Sequence, residues 1–193
     1  MQSKEIQKLC EQAQVCGLQH NHHIPEELRK RINIADTSKQ QLCPDDVNQI
    51  CRWSGTDPSA IAALQEAAEH LVNQTKTQLI KNHPELILPG GGLHPEQRAE
   101  ACWRDCWNFL RVCIYAVASS CPHCTDDEGM KAVRALYAFM AVPMDGMNLA
   151  LETLEELCKT RLDATSNRKE AECAQQAFQH MREQLNQTSM NSC

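Results

Sequence analysis

Twelve of the 193 residues are cysteine, and two groups of them stand in patterns that can do chemistry. The first is Cys102-Trp103-Arg104-Asp105. A thiolate adds readily to an activated carbon. Arg104 offers a planar fork that suits a carboxylate better than lysine would. Asp105 lies three residues after Cys102, so on a helix both point to roughly the same face. The second group, Cys121-Pro122-His123-Cys124, has the Cys-x-x-Cys spacing of redox and zinc sites. Thioredoxin-type chemistry wants a strand before that motif, whereas a helix precedes it here. Its place just before a helix cap can lower a thiol pKa, and a zinc ion would have to borrow Cys16, His20, His22 or His23. Both groups also have a plain explanation. A free cysteine is commonly a small buried hydrophobe, Arg104 with Asp105 makes an ordinary surface pair, and a solvated turn can carry incidental thiols. Cys106 and Cys113 follow Cys102 at core spacing, and Cys51, Cys158 and Cys173 read as packing too.

The elements that must position these residues are helical almost throughout. Glycine and proline are sparse, at 7 and 8 residues, and β-branched runs are nearly absent. Asp57-Pro58 is a cap followed by proline at the first helical position. Ile61, Leu64, Ala68, Leu71, Val72, Thr75, Leu79 and Ile80 then recur at three- and four-residue steps to about Asn82. Leu88-Pro89-Gly90-Gly91-Gly92 is the strongest loop signal. The next helix runs from near Pro95 to about Ser119 and carries the Cys102 group. Thr125 with Glu128 reads as a capping box for a helix that ends before Pro143. Another helix covers about Asp145 to Leu162. Asn167 with Glu170 can cap a last one reaching about Asn186. Upstream, Pro25 to Ile34 and Pro44 to Trp53 are shorter helices, and residues 1–23 are amphipathic at best. The expectation is an all-α chain of roughly seven or eight helices.

With 19 Lys+Arg against 25 Asp+Glu, the net charge is −6. That balance argues against non-specific nucleic-acid binding, since no basic field is available to replace phosphate counterions. No apolar run approaches the ~18 residues that span a bilayer. The start of the chain does not read as a signal peptide, so the thiols are expected to be reduced. His70 lies on the long helix, where haem ligation has to be considered, but a lone helical histidine is more often an ordinary surface residue. No acid/base or nucleophile constellation appears beyond the Cys102 group, so an enzyme is not expected.

The Cys102 group stands ten residues past Gly92 of a Pro-Gly-Gly turn, and in this it resembles the phycobiliprotein family, the allophycocyanin and phycocyanin subunits of the phycobilisome. That family carries a Pro-Gly-Gly-Asn turn and, at the same distance, a Cys-x-Arg-Asp bilin site. Arg111 and Tyr115 fall where the family has an arginine and a tyrosine on the same helix. Leu136-Tyr137 and Pro143 match its Met/Thr-Tyr and Gly-Thr-Pro stretch. Ala35-Asp36, Leu42-Cys43-Pro44 and His83-Pro84-Glu85-Leu86 resemble its Ala-Asp, Leu-Ser-Pro and Arg-Pro-Asp segments. The likeness covers about Ile34 to Leu162, and the last helix more loosely. Departures are Gly92 for the turn asparagine, His94 for a tyrosine, Gln41 for an aromatic and Ala141-Val142 for Gly-Thr. They suggest a divergent paralogue.

The resemblance implies a globin-like phycobiliprotein fold with an N-terminal helical extension: residues 1–33 as extension, 34–187 as the globin-like domain, 188–193 as a flexible tail. It implies phycocyanobilin, an open-chain tetrapyrrole, bound covalently through a thioether from Cys102 to ring A. Arg104 would meet a propionate, Asp105 the central pyrrole N–H groups, and Tyr115 and Tyr137 would wall the pocket. No metal or catalytic residue is implied. Asp36 and Arg111 match positions that the family pairs across its α–β contact. They imply association with other phycobiliprotein subunits or with a second copy, and a phycobilisome linker or photosystem is a further candidate. The implied setting is the stromal or cytoplasmic face of thylakoids in a cyanobacterium or plastid. Two alternatives stay open: a pigment-free regulatory or assembly protein of the same fold, and a thiol or metal sensor using Cys121 and Cys124.

Overall fold

A computed structural model describes residues 2–187; the tail expected at 188–193 lies outside them. Eight α-helices follow one another: α1 (Gln2–Gln12), α2 (Glu26–Thr37), α3 (Pro44–Ser54), α4 (Pro58–Asn82), α5 (Glu96–Ser119), α6 (Asp127–Met140), α7 (Met144–Asp163) and α8 (Arg168–Asn186). Short 3₁₀ turns at Leu18–His20 and Pro84–Ile87 complete the order. Helix α2 runs across residue 34, where the sequence reading divides extension from domain.

The arrangement centres on α5, because from Phe109 to Ser119 every residue of that helix is buried. A helix apolar on all sides must be surrounded, and α3, α4, α7 and α8 pack around it. Each fully buried large apolar side chain here, such as Phe109, Leu110 or Phe178, contributes about 1.5–3 kcal/mol over leaving it in water. The single charge in that run, Arg111, therefore has to be paired.

Local signals set most boundaries. The Asp57 side chain accepts from the Ser59 N–H at 2.9 Å, with Pro58 at the first helical position. Cys43 caps α3 through its sulfur, and Gly55 closes that helix at φ 69° in the left-handed region. Two expected caps are corrected. Helix α6 is capped by the Asp126 carboxylate, which accepts from the Gly129 N–H at 2.6 Å. Thr125 cannot serve, since its backbone bridges Cys16 and its hydroxyl bonds His180 Nε2 at 2.8 Å. Asn167 makes no side-chain cap on α8. Glu170 is drawn away as well, accepting the Asp57 N–H at 2.8 Å and so tying the starts of α4 and α8 together.

The segment before α2 is stitched onto the α5–α6 corner. The Gly17 N–H donates to the Cys124 carbonyl at 2.8 Å, and the Asp126 N–H donates to Val15 at 2.9 Å. This approach leaves no room for a side chain at two glycines. A Cβ on Gly17 would lie 2.1 Å from the Thr125 carbonyl oxygen, and one on Gly129 would lie 2.0 Å from that of Gln14. Both obstacles are backbone, so they cannot swing aside. Gly17→Ala is therefore expected to undock the strap while α4, α5, α7 and α8 stay packed. Limited proteolysis should then cut between residues 12 and 24, where the wild-type chain is expected to resist. An unchanged digestion pattern would contradict this reading of the corner.

Candidate ligand-binding cleft

One face of α5 opens into a cleft of about 610 Å³, within the ~300–1,000 Å³ typical of small-molecule sites. Cys102 and Asp105 project into it from α5, with Arg98 and Arg104 on the same helix. Tyr137 and Met140 line it from α6, and Pro143 from the corner before α7. Cys102 is buried, while Arg104 is exposed at the rim. The Tyr137 hydroxyl donates to Asp105 Oδ2 at 2.8 Å, and among the described residues Asp105 Oδ1 has no protein donor. Burial raises the Asp105 pKa, opposed by the Tyr137 hydrogen bond and by Arg104. Burial first, then the Asp105 charge, pushes the Tyr137 hydroxyl well above the usual phenol range. The pair thus presents a half-used carboxylate acceptor, oriented by a phenol, beside a thiol.

The chemistry such a cleft permits includes covalent capture of a ligand. A soft nucleophile stands at one wall, an acceptor for N–H groups in the middle and a guanidinium at the mouth. Cys106, one turn below Cys102, cannot substitute readily, because a hydrogen bond with Cys102 and burial hold its thiol well above the ordinary range. Arg98 escaped the sequence reading. Its guanidinium donates to the Met140 and Ala141 carbonyls at 2.5 and 2.7 Å, clamping the C-terminus of α6 over the cleft. The signal that could have found it is its position four residues before Cys102, on the same helix face.

The sequence profile of the phycobilisome proteins matches residues 30–185. The chain belongs to that family. A β-18 allophycocyanin subunit from Pyropia yezoensis is 28% identical over 153 residues, which is 78% of this chain and 90% of the relative. An allophycocyanin alpha chain from Anabaena cylindrica is 25% identical over 138 residues, 70% of this chain and 86% of the relative. A far-red fluorescent biliprotein, derived from a far-red induced allophycocyanin F subunit of Chroococcidiopsis thermalis, shares the fold. Its TM-score is 0.58 at 21% identity, over 76% of this chain and 100% of that one. The all-α, globin-like phycobiliprotein fold expected from the sequence is thereby the fold observed.

Within this phycobilisome-family fold, four of the five expected site residues, Cys102, Arg104, Asp105 and Tyr137, line one cleft. Tyr115 does not, and the expectation that it walls the pocket is corrected. It lies fully buried, nearly three turns beyond Asp105 on α5. There it accepts from Arg111 Nη1 at 2.7 Å and donates to the Gln40 carbonyl, with burial raising its pKa to about 12. The expected subunit contact through Asp36 and Arg111 is corrected as well. The two pair with each other inside the chain at 2.7 Å, side chains 4% and 2% exposed. The reason is the path of α2, which packs beside α3 and brings Asp36, near its C-terminus, to Arg111 on α5 of the same chain.

The Cys121–Cys124 corner is also accounted for by packing. Cys124 is buried beneath the strap with Cys16, and burial raises the Cys121 pKa, opposed by its hydrogen bond to Ser119, so the helix cap does not lower it. Among the described residues no group of three or more His, Cys, Asp or Glu side chains could hold a metal ion. His123 packs edge-on against His180 at 4.9 Å, and burial with the His123 charge lowers the His180 pKa. His70 is exposed on α4. A second cleft of about 600 Å³ lies between α4 and α7. Its lining has no thiol and no carboxylate–phenol pair, so it lacks the chemistry of the first.

Proposed function

We propose that this chain is an allophycocyanin-like pigment protein that carries a linear tetrapyrrole, phycocyanobilin, as a thioether on Cys102. The observation that supports this reading is the convergence of Cys102, Arg104, Asp105 and Tyr137 on a single cleft of suitable size. In the attachment the Cys102 sulfur would form a bond to the exocyclic ethylidene carbon of ring A. The C=C π bond breaks, and the thiol proton ends on the neighbouring carbon, so no oxidant is required. When bound, the tetrapyrrole supplies visible-light absorption. The protein's part is to hold it still. Arg104 at the rim faces a propionate, and Asp105, positioned by the Tyr137 hydroxyl, accepts from the pyrrole N–H groups in a cleft where each such bond is strengthened by burial.

The reading is of a pigment-binding protein, not an enzyme. The relatives named as allophycocyanins and the fluorescent biliprotein favour a place among light-harvesting subunits. No described helix is long and apolar enough to cross a membrane, which suits a peripheral position at the stromal or cytoplasmic face of thylakoids. Exposed Ile34, Leu88, Phe139 and Met140 offer apolar surface for association with another family subunit, a linker or a photosystem. Because Asp36 and Arg111 are used within the chain, a specialised role fits better than that of a main antenna subunit. The test is co-expression with bilin synthesis and a bilin lyase, followed by denaturing electrophoresis. An orange-red band enhanced by zinc is the expected result. A colourless band beside a control subunit that labels would overturn the assignment.

A further inference from the structure

Helix α1 lies upstream of the segment that matches the family, and the function proposed above makes no use of it. It packs along α6. Ile6 and Cys10, four residues apart and therefore on one helix face, line the same cleft as Cys102, Arg104, Asp105 and Tyr137. Ile6 is half-buried there and Cys10 exposed, while the opposite face carries the charged Lys4, Glu5, Lys8 and Glu11, all exposed. An amphipathic helix of this length, 11 residues, is marginal in water on its own. What holds it is the strap behind it: the Cys16–Thr125 bridge, the Gly17–Cys124 and Val15–Asp126 hydrogen bonds, and the close approaches at Gly17 and Gly129.

We propose that α1 is a fixed wall of the tetrapyrrole cleft, with Ile6 and Cys10 as binding residues that cover the apolar faces of the pigment. The inference rests on the pigment reading for its ligand, but not for its geometry. Three walls come from α5, α6 and the corner before α7. Without α1, the cleft in front of Cys102 would be open to solvent on the side of Ile6. An apolar side chain there excludes water from the Asp105 acceptor and so strengthens its hydrogen bonds to the ligand. It also confines the ligand torsionally, which is what a long-lived excited state requires. The Cys16–Thr125 strap is thus the element through which the Cys121–Cys124 corner bears on the site: it is the mooring of the wall.

Two readouts on the full-length protein decide this. In the pigment-free chain, alkylation of Cys102 by a bulky maleimide, followed by mass spectrometry of its peptide, is expected to be slow. Ile6→Glu should accelerate it about tenfold or more, while Lys8→Glu, on the exposed face, should leave it unchanged. In the pigmented protein, Ile6→Glu should keep the thioether but lower the fluorescence yield several-fold, and Ile6→Leu should restore it. Circular dichroism and melting of each variant exclude a global folding defect. Equal Cys102 alkylation in wild type and Ile6→Glu would overturn the proposal. Unchanged fluorescence in pigmented Ile6→Glu would overturn it as well. If no pigment attaches to the wild type, the pigment reading fails, and the alkylation result still decides whether α1 walls the cleft.

Discussion

Arg111→Met is expected to destabilise the protein by about 3–5 kcal/mol, the range for stranding one member of a buried ion pair. At this chain length that is a fall in Tm of roughly 10 °C. Arg111 donates to Asp36 Oδ1 and to the Tyr115 hydroxyl, both at 2.7 Å, and its guanidinium lies 5.2 Å from the Tyr115 ring and 5.9 Å from that of Trp107. Methionine keeps much of the packing and removes every one of those polar contacts. Asp36 is then left with Lys39, whose Nζ stands 3.9 Å away on a half-exposed side chain, too little to replace a buried guanidinium. The double variant Asp36→Leu with Arg111→Met should recover much of the loss, because it removes the orphaned charge instead of creating one. Urea unfolding of the set checks this. The pair is intramolecular, so the loss in Arg111→Met should not depend on protein concentration. A contact between subunits would make it concentration-dependent, and that outcome would refute the arrangement of α2 described above.

Cys102→Ala is expected to abolish covalent pigment altogether while leaving the fold in place. Removing one sulfur from a buried helix position costs about 1 kcal/mol, on the scale of a buried CH₂. The variant should therefore express and melt close to wild type. After co-expression with bilin synthesis and a lyase, the denatured chain should show no zinc-enhanced band. Cys106→Ala and Cys10→Ala should both keep the band. Cys106 is fully buried, with its thiol held above the usual range, and Cys10 sits across the cleft on α1. A Cys102→Ala chain that still labels would move the attachment site to another of the 12 cysteines.

The sequence made the helices legible because their signals are local. Asp57-Pro58, Cys43-Pro44 and the Pro-Gly-Gly loop each act within a few residues, and the observed starts of α3, α4 and α5 fall within a residue of the expected ones. The buried stripe of α5 was legible through Cys106 and Cys113, which follow Cys102 at core spacing, and Cys102, Arg104 and Asp105 as one helical group; burial on all sides from Phe109 to Ser119 was not. Caps failed where a distant partner competed for the same side chain. Glu170 serves Asp57, more than a hundred residues away, and Thr125 serves Cys16 and His180. No local pattern announces such bonds.

Composition and periodicity thus determined an all-helical chain, one of whose helices bears a thiol, a guanidinium and a carboxylate, and the family motif matched them residue by residue. The tertiary structure decided which residues share a cleft. It brought Tyr137 to Asp105 and took Tyr115 away, because Tyr115 stands nearly three turns beyond Asp105 on α5, where its hydroxyl meets Arg111 and Gln40 instead. It turned Asp36 and Arg111 inward, since a charge in the apolar run of α5 must find its counter-ion wherever the chain can deliver one. It also laid Ile6 and Cys10 opposite Cys102. That juxtaposition depends on where two backbone segments can touch, and so on glycines at positions 17 and 129 that carry no side chain to read.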